Sequence, residues 1–175
     1  MRWVALLRAI NVGTGRTVPM ADLRAWMEAA GATEVVTYIQ SGNVVLSHPA
    51  RSEAKLAADL EARITKGAGF TVPVILRTAA QMAAVVQANP FPDADPEQLH
   101  VGFMAERPAK SAYTGIDAAK FGPEQFAVVG RELWMHLPNG VGKAKLPLAL
   151  GKVKGAPSYT LRNRRTIAML VDLSS

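Results

Sequence analysis

The sequence predicts an α+β protein built from two ferredoxin-like halves, each a β-sheet with helices on one face. Two observations lead to this prediction. Apolar runs typical of strands alternate with amphipathic runs at helical spacing, and the order strand, helix, hairpin, helix occurs twice. The two occurrences share element order and not residues, which we interpret as duplication of a βαββα-type unit. The predicted halves are residues 1–77 and 78–175, and the length also fits one compact unit.

In the first half, the continuous apolar run at residues 3–7 predicts a central strand buried on both faces. Ser41-Gly42-Asn43 joins two β-rich runs and is typical of a tight hairpin turn. Amphipathic helices are predicted after Pro19 and after Ser52, and the first ends at Gly31. The predicted strands are residues 3–7, 35–40, 44–47 and 72–77.

The second half has nearly the same pattern. The predicted strands are residues 99–105, 126–129 and 133–137, and the last two form a hairpin that turns at Gly130-Arg131. The predicted helices are near residues 82–86, 110–119, 144–150 and 161–173. The last two helices lie in a strongly basic part of the chain.

The composition excludes several classes of protein. The 175 residues are 49% hydrophobic, which is enough to form a core without cross-links. The chain has no Cys, which excludes disulfides, thiolate metal sites and a thiol nucleophile. No run of about 18 apolar residues occurs, and the apolar run at the N-terminus is too short for a secretory signal. We therefore expect a cytoplasmic protein that does not enter the membrane.

Positive charge is concentrated near the C-terminus. Residues 133–171 contain seven Lys or Arg and no Asp or Glu, although the whole chain has 20 basic and 14 acidic residues. A surface of one sign attracts ions of the opposite sign. The expected partner is therefore anionic, either nucleic acid or a phosphorylated small molecule.

Two glycine-containing segments are suited to anion binding. Residues 11–17 lie between a predicted strand and a predicted helix, as phosphate-binding loops do, but both known glycine patterns are incomplete there. A plain connection is the alternative interpretation. Residues 138–146 place Lys143 and Lys145 at a predicted helix start, where a bound anion would offset their repulsion from the helix dipole. Here the alternative is a solvent-facing turn.

A third basic segment, residues 159–166, is predicted to open the last helix. Thr160 would cap this helix, and Arg162 and Arg165 would share one face. Arginine can bind phosphate through two parallel hydrogen bonds. The alternative interpretation is a solvated basic helix end. The three His residues are dispersed without metal-ligand spacing, so we predict neither a metal site nor a cofactor.

Four segments, taken in order, resemble the uncharacterised bacterial family called domain of unknown function 1697. They are residues 6–13 (LLRAINVG), 38–44 (YIQSGNV), 138–146 (PNGVGKAKL) and 160–163 (TLRN). The chain departs from the family at Ala9 and Thr14, where Gly is usual, and at Met169, where Lys is common. The resemblance implies an α+β fold with two ferredoxin-like halves and no established activity. The motif residues that it implies are Arg8, Asn11, Ser41, Asn43, Asn139, Lys145, Arg162 and Asn163.

The residues leave three hypotheses for function. The leading one is a cytosolic binding module for a phosphate-bearing ligand, nucleic acid or nucleotide, in a groove between the halves. One alternative is an enzyme that stabilises a small anionic substrate electrostatically, and the other is a structural or protein-interaction protein whose motif residues hold turns. We assign no catalytic residue. The residues assigned to anion binding are Arg8, Asn11, Ser41, Asn43, Asn139, Lys143, Lys145, Arg162, Asn163 and Arg165.

Overall fold

A computed structural model describes residues 1–13 and 15–175, so Thr14 in the first glycine-containing loop lies outside the described residues. The chain divides into two compact units, Met1–Ala84 with Met169–Ser175, and Val85–Ala168. Within the described residues, each unit contains one four-stranded antiparallel sheet. The predicted α+β class with two ferredoxin-like halves is therefore confirmed. No helix in the described part of the chain is long and apolar enough to span a bilayer.

The first unit has the strand order β2-β3-β1-β4, which makes β1 a central strand, as predicted. Residues 3–7 of that strand are buried. Helix α3 follows β4 without an intervening loop. The elements are β1 (Arg2–Leu7), α1 (Met20–Ala29), β2 (Thr33–Tyr38), β3 (Asn43–Ser47), α2 (Glu53–Ala68), β4 (Val74–Thr78) and α3 (Ala79–Gln87).

The core of this unit forms where α1 and α2 bury their apolar faces. Leu23 and Met27 of α1 are buried, and so are the residues of α2 at four-residue spacing, among them Leu60. Both helices belong to one cluster with the residues of β1 at positions 3, 5 and 7. Ser52 caps α2 as its spacing predicts, because its hydroxyl accepts a hydrogen bond from the Lys55 N–H at 3.3 Å.

The second unit repeats this topology, with the strand order β6-β7-β5-β8. Leu146 and Leu150 of α4 pack with Met104, Leu133 and Met135 of the sheet. The elements are β5 (Leu99–Met104), β6 (Gln125–Val129), β7 (Glu132–His136), α4 (Leu146–Gly151), β8 (Tyr159–Asn163) and α5 (Arg164–Ser174), of which the C-terminal part belongs to the first unit.

The predicted helix at residues 110–119 is wrong. Residues 110–115 form turns, and a short 3-10 helix covers Ala118–Phe121. Ser111, Thr114 and Asp117 are residues whose side chains compete for backbone hydrogen bonds, and the Thr114 hydroxyl donates to the Ser111 carbonyl at 2.9 Å. Asp117 likewise accepts a hydrogen bond from the N–H of Ala119.

The prediction that residues 159–166 open a helix is also wrong. Tyr159–Asn163 is the edge strand β8, which pairs with β5 and places Arg162 opposite Val101. Thr160 and Arg162 are buried on one face, and Leu161 packs on the other, which is the alternation of a strand. Arg162 and Arg165 therefore do not share a helix face, and Asn163 rather than Thr160 caps α5.

The last strands of the two sheets, β4 and β8, end with similar residues in similar roles. Arg77 in β4 and Arg162 in β8 are both buried, and the Nη1 of each donates to the carbonyl of the preceding leucine at 2.8 Å. Each is followed by a helix-capping residue, Thr78 or Asn163, which accepts the N–H three positions later. This repeat is consistent with the predicted duplication of one unit.

Candidate functional site

Two loops meet at one end of the first sheet and bring several predicted site residues together. Asn11, in the loop after β1, donates from Nδ2 to the Gln40 carbonyl at 2.7 Å and to the Val18 carbonyl at 3.0 Å. Its Oδ1 accepts a hydrogen bond from the Val18 N–H at 2.8 Å. The amide of Asn11 therefore connects its own loop to the hairpin loop between β2 and β3.

The hairpin loop is held by a second asparagine. Asn43 is fully buried, and its Nδ2 donates to the Ser41 hydroxyl at 3.0 Å and to the Tyr38 carbonyl at 3.2 Å. Gly42 has a φ of 80°, and a Cβ there would lie 2.7 Å from the Cβ of Leu7. The loop therefore needs glycine at this position, and the side chains of Ser41 and Asn43 stabilise its turn.

The first loop also depends on Arg16, which sequence reasoning did not select. Its guanidinium donates to the Ala9 carbonyl at 2.9 Å and to the Thr71 carbonyl at 2.7 Å, and it lies 4.7 Å from the centre of the Phe70 ring. Ala9 has a φ of 56°, a conformation that favours glycine. Arg8 is exposed beside it. These contacts stabilise the described part of the loop.

At the start of α4, an internal carboxylate occupies the backbone donors. The N–H of Lys145 lies 3.1 and 3.2 Å from the two carboxylate oxygens of Glu124, and the N–H of Leu146 donates to the same group at 2.7 Å. The side chains of Lys143 and Lys145 are exposed, and Asn139 lies in an exposed turn. The carboxylate that completes this helix start therefore comes from a residue far along the chain, which no local pattern indicates.

A different cavity gathers residues from three segments of the second unit. Its volume is about 350 Å³, and it lies at the start of α5. Two of the predicted residues, Asn163 and Arg165, line it, whereas Lys143, Lys145 and Arg162 do not. We call it the α5 cavity. Its lining residues are Pro96, Glu97, His100, Gly140, Val141, Asn163, Arg164 and Arg165.

The α5 cavity is positively charged. Within the described residues, neither Arg164 nor Arg165 makes a side-chain hydrogen bond or an ion pair. The start of a helix carries partial positive charge, and its first N–H groups lack intrahelical acceptors. Asn163 Oδ1 satisfies one of them, the N–H of Thr166, at 2.8 Å. The exposed Glu97 is the one carboxylate among the lining residues.

His100 adds a buried polar group to the wall of the α5 cavity. The residue is 7% exposed, and its Nδ1 is buried without a hydrogen-bond partner in the part of the chain that the structure describes. Burial lowers the pKa of His100 below its ordinary value of 6.5, and a hydrogen bond with the Gln98 backbone acts in the opposite direction. Sequence reasoning missed this residue because His100 has no partner at a recognisable spacing.

Arg162 has different surroundings from the arginines of the cavity. Its Nη1 donates to the Thr160 hydroxyl at 2.7 Å and to the Leu161 carbonyl at 2.8 Å. Burial lowers the pKa of Arg162 to about 10. The guanidinium is thus held inside the second unit by its own strand. Among residues 1–13 and 15–175, no three His, Asp or Glu side chains are close enough to share a metal ion.

Comparison with known proteins agrees with this architecture. The family model described as "Protein of unknown function (DUF1697)" matches residues 1–134. The chain belongs to this family. Two of the four motif segments in this DUF1697 protein, residues 138–146 and 160–163, lie beyond the matched residues. No curated protein matches the sequence.

A solved structure shares the fold over nearly the whole chain. It is the conserved bacterial protein SP0830 from Streptococcus pneumoniae, which is 24% identical and has a TM-score of 0.75. The match covers 99% of this chain and 98% of the other. It therefore includes both units of the DUF1697 protein, each of which has its own counterpart in the pneumococcal structure.

Proposed function

We propose that this DUF1697 protein is a binding module for a phosphate-bearing ligand, and that the phosphate binds in the α5 cavity. The observation that carries the proposal is the presence there of Arg164 and Arg165, whose side chains have no partner among the described residues. They are the first two residues of an 11-residue helix. Phosphate is a group that both paired guanidinium groups and a helix start bind well.

The shape of the α5 cavity supports a compact ligand or a single phosphate of a longer one. Its volume of about 350 Å³ is at the lower end of small-molecule sites. Gly140 and Val141 form one wall. Gly140 has a φ of 82°, and a Cβ built on it would have no neighbouring atom within 4 Å. Backbone can therefore approach a ligand closely on that side.

Nucleotides and nucleic acids would contact different numbers of cations around the α5 cavity. Lys143 follows the Gly140–Val141 wall and is exposed. A nucleic acid would contact Lys143 as well as the two arginines, whereas a nucleotide would contact chiefly the arginines. The dependence of binding on salt distinguishes the two ligands, because each phosphate contact adds about one unit of slope to the log–log plot.

The test is a thermal-shift screen against nucleotides, sugar phosphates, short single strands and duplexes, at low and moderate salt. We expect at least one class to stabilise the wild type by about 2.7 kcal/mol at a concentration one hundred times its Kd. Arg164→Ala/Arg165→Ala should abolish this stabilisation. The matched control is Lys152→Ala/Lys154→Ala, which removes the same charge from the same unit outside the cavity.

Two results would count against the proposal. One is the absence of any shift with all four ligand classes. The other is an equal loss of stabilisation in both double variants, because that would indicate attraction by net charge instead of a site. If the ligand is a nucleic acid, Arg164→Ala/Arg165→Ala should also reduce the slope of log binding constant against log salt concentration by about two units.

A further inference from the structure

A second cavity in the Val85–Ala168 unit is separate from the α5 cavity and shares no lining residue with it. Its volume is about 450 Å³, which is within the range of small-molecule sites. It lies where the helix predicted at residues 110–119 is replaced by turns. We call it the aromatic cavity. Its lining residues are Arg107, Pro108, Ala109, Lys110, Tyr113, Thr114, Phe126, Val128 and Gly130.

Two aromatic residues line the aromatic cavity, Tyr113, which is 7% exposed, and Phe126, which is half-buried. The rings of Tyr113 and Phe126 are 6.1 Å apart between centroids and inclined at 68°, an edge-to-face arrangement. The Tyr113 hydroxyl donates to the sulfur of Met104 at 3.7 Å, which fixes the ring. Val128, in the same wall, is 40% exposed although it is a large apolar residue. The wall is thus rigid on one side and accessible on the other.

Two cations stand beside this apolar wall. Arg107 and Lys110 are exposed, and neither makes a hydrogen bond or an ion pair within the described residues. No lining residue is acidic. The carboxylate of Glu132 lies close to this cavity. A Cβ placed on Gly130 would be 3.5 Å from Glu132 Oε2 and 4.0 Å from Arg107 Nη2. Glu132 has interactions of its own.

We infer that the aromatic cavity binds a small aromatic carboxylate. The ring of the ligand packs on Tyr113 and Phe126, where face and edge contacts are both available. Its carboxylate faces Arg107 and Lys110, which supply charge-assisted hydrogen bonds. A neutral aromatic molecule uses only the first set of contacts, and a phosphate ion uses only the second. The combination therefore selects a ligand that is both aromatic and anionic.

The probe for this site is 2-naphthoate, and its neutral counterpart is 2-naphthalenemethanol. We expect isothermal titration calorimetry of the full-length protein to show saturable binding of 2-naphthoate. The alcohol should bind about tenfold more weakly or worse, because it lacks the charge-assisted hydrogen bonds. Equal binding of both compounds, or no saturable binding up to the solubility limit of 2-naphthoate, would overturn the inference.

Two sets of variants locate the binding. Arg107→Ala/Lys110→Ala should weaken 2-naphthoate about tenfold and leave the alcohol unchanged, whereas Lys152→Ala/Lys154→Ala should leave both unchanged. Thr114→Trp, at an exposed position of the wall, should block both compounds while the circular dichroism spectrum stays that of the wild type. The inference would be overturned if 2-naphthoate bound to Arg107→Ala/Lys110→Ala, or to Thr114→Trp, as tightly as to the wild type. Arg164→Ala/Arg165→Ala should have no effect on this probe, so the two cavities are tested independently.

Discussion

Glu124 provides the sharpest test of how the basic segment at residues 138–146 works. Its carboxylate accepts the N–H groups of Lys145 and Leu146, the latter at 2.7 Å, and so caps α4 from outside the helix. Replacing Glu124 with Ala removes these bonds and leaves two donors at the positive end of a helix. We therefore expect Glu124→Ala to destabilise the protein without any ligand being present.

The magnitude follows from the geometry. Removal of a helix cap costs about 1 kcal/mol, and hydrogen bonds to a charged acceptor contribute about 1.5–3 kcal/mol. Glu124 is only half-buried, so water can replace part of the loss, and we expect about 2 kcal/mol. For a chain of this length, that lowers Tm by about 4–8 °C. Glu124→Gln keeps an acceptor oxygen but not the charge, so it should lose about half as much.

The assay is urea denaturation followed by circular dichroism, with Glu106→Ala as the control. Glu106 is exposed and makes no hydrogen bond or ion pair within the described residues, so its loss should change stability by less than about 0.5 kcal/mol. Equal stability of Glu124→Ala and Glu106→Ala would refute the capping role. If the start of α4 were itself the phosphate site, Glu124→Ala would also increase the stabilisation by phosphate-bearing ligands, and we expect no such increase.

Four further predictions concern single positions. Ala9→Gly should stabilise the protein by about 0.5–1 kcal/mol in urea denaturation, because Ala9 has a φ of 56°, and an unchanged or lower stability would contradict this. Asn11→Ala should cost about 2 kcal/mol through its three side-chain bonds, whereas the exposed Asn139→Ala should be neutral, and equal effects would argue against the loop role. Gly42→Ala should cost about 2–4 kcal/mol, since its Cβ would lie 2.7 Å from Leu7 Cβ, and a wild-type Tm would exclude this close approach. Because burial lowers the pKa of His100 below 6.5, the unfolded state takes up the proton more readily, and stability is lost as pH falls below that value. As pH falls from about 7.5 to about 5, the free energy of unfolding should decrease less for His100→Phe than for the wild type. Equal decreases in the two proteins would contradict the assignment of this pH dependence to His100.

Sequence patterns identified the first unit well because its signals are local. The apolar run in β1 is short and lies between Arg2 and Arg8, which favours a buried strand. Leu56, Leu60 and Ile64 repeat at a helical period after a good cap. Ser41-Gly42-Asn43 indicated a turn, and the structure shows why: glycine at positive φ and an asparagine that bonds to the turn. The exact loop, which runs from Ile39 to Gly42, is one that local patterns do not specify.

The errors occur where distant partners decide the structure. Thr160-Leu161-Arg162 fits a helix face or a strand equally well, and pairing with β5 selects the strand. The same limit applies to the site. Nothing near Lys145 indicates that Glu124 caps its helix, and nothing near Arg165 indicates that His100 lines the same cavity. Charge composition located the basic region, but only the tertiary structure separates the buried Arg162 from the exposed Arg165.

The most direct test of the proposed function is a titration of isotope-labelled protein with pyrophosphate, followed by ¹H–¹⁵N correlation spectra. The α5 cavity predicts saturable shifts of the backbone signals of residues 140–141 and 163–166, and of the Nε–H signals of Arg164 and Arg165. Lys152→Ala/Lys154→Ala should leave these shifts in place. Small, unsaturated shifts spread over all exposed Lys and Arg residues would contradict the proposed site.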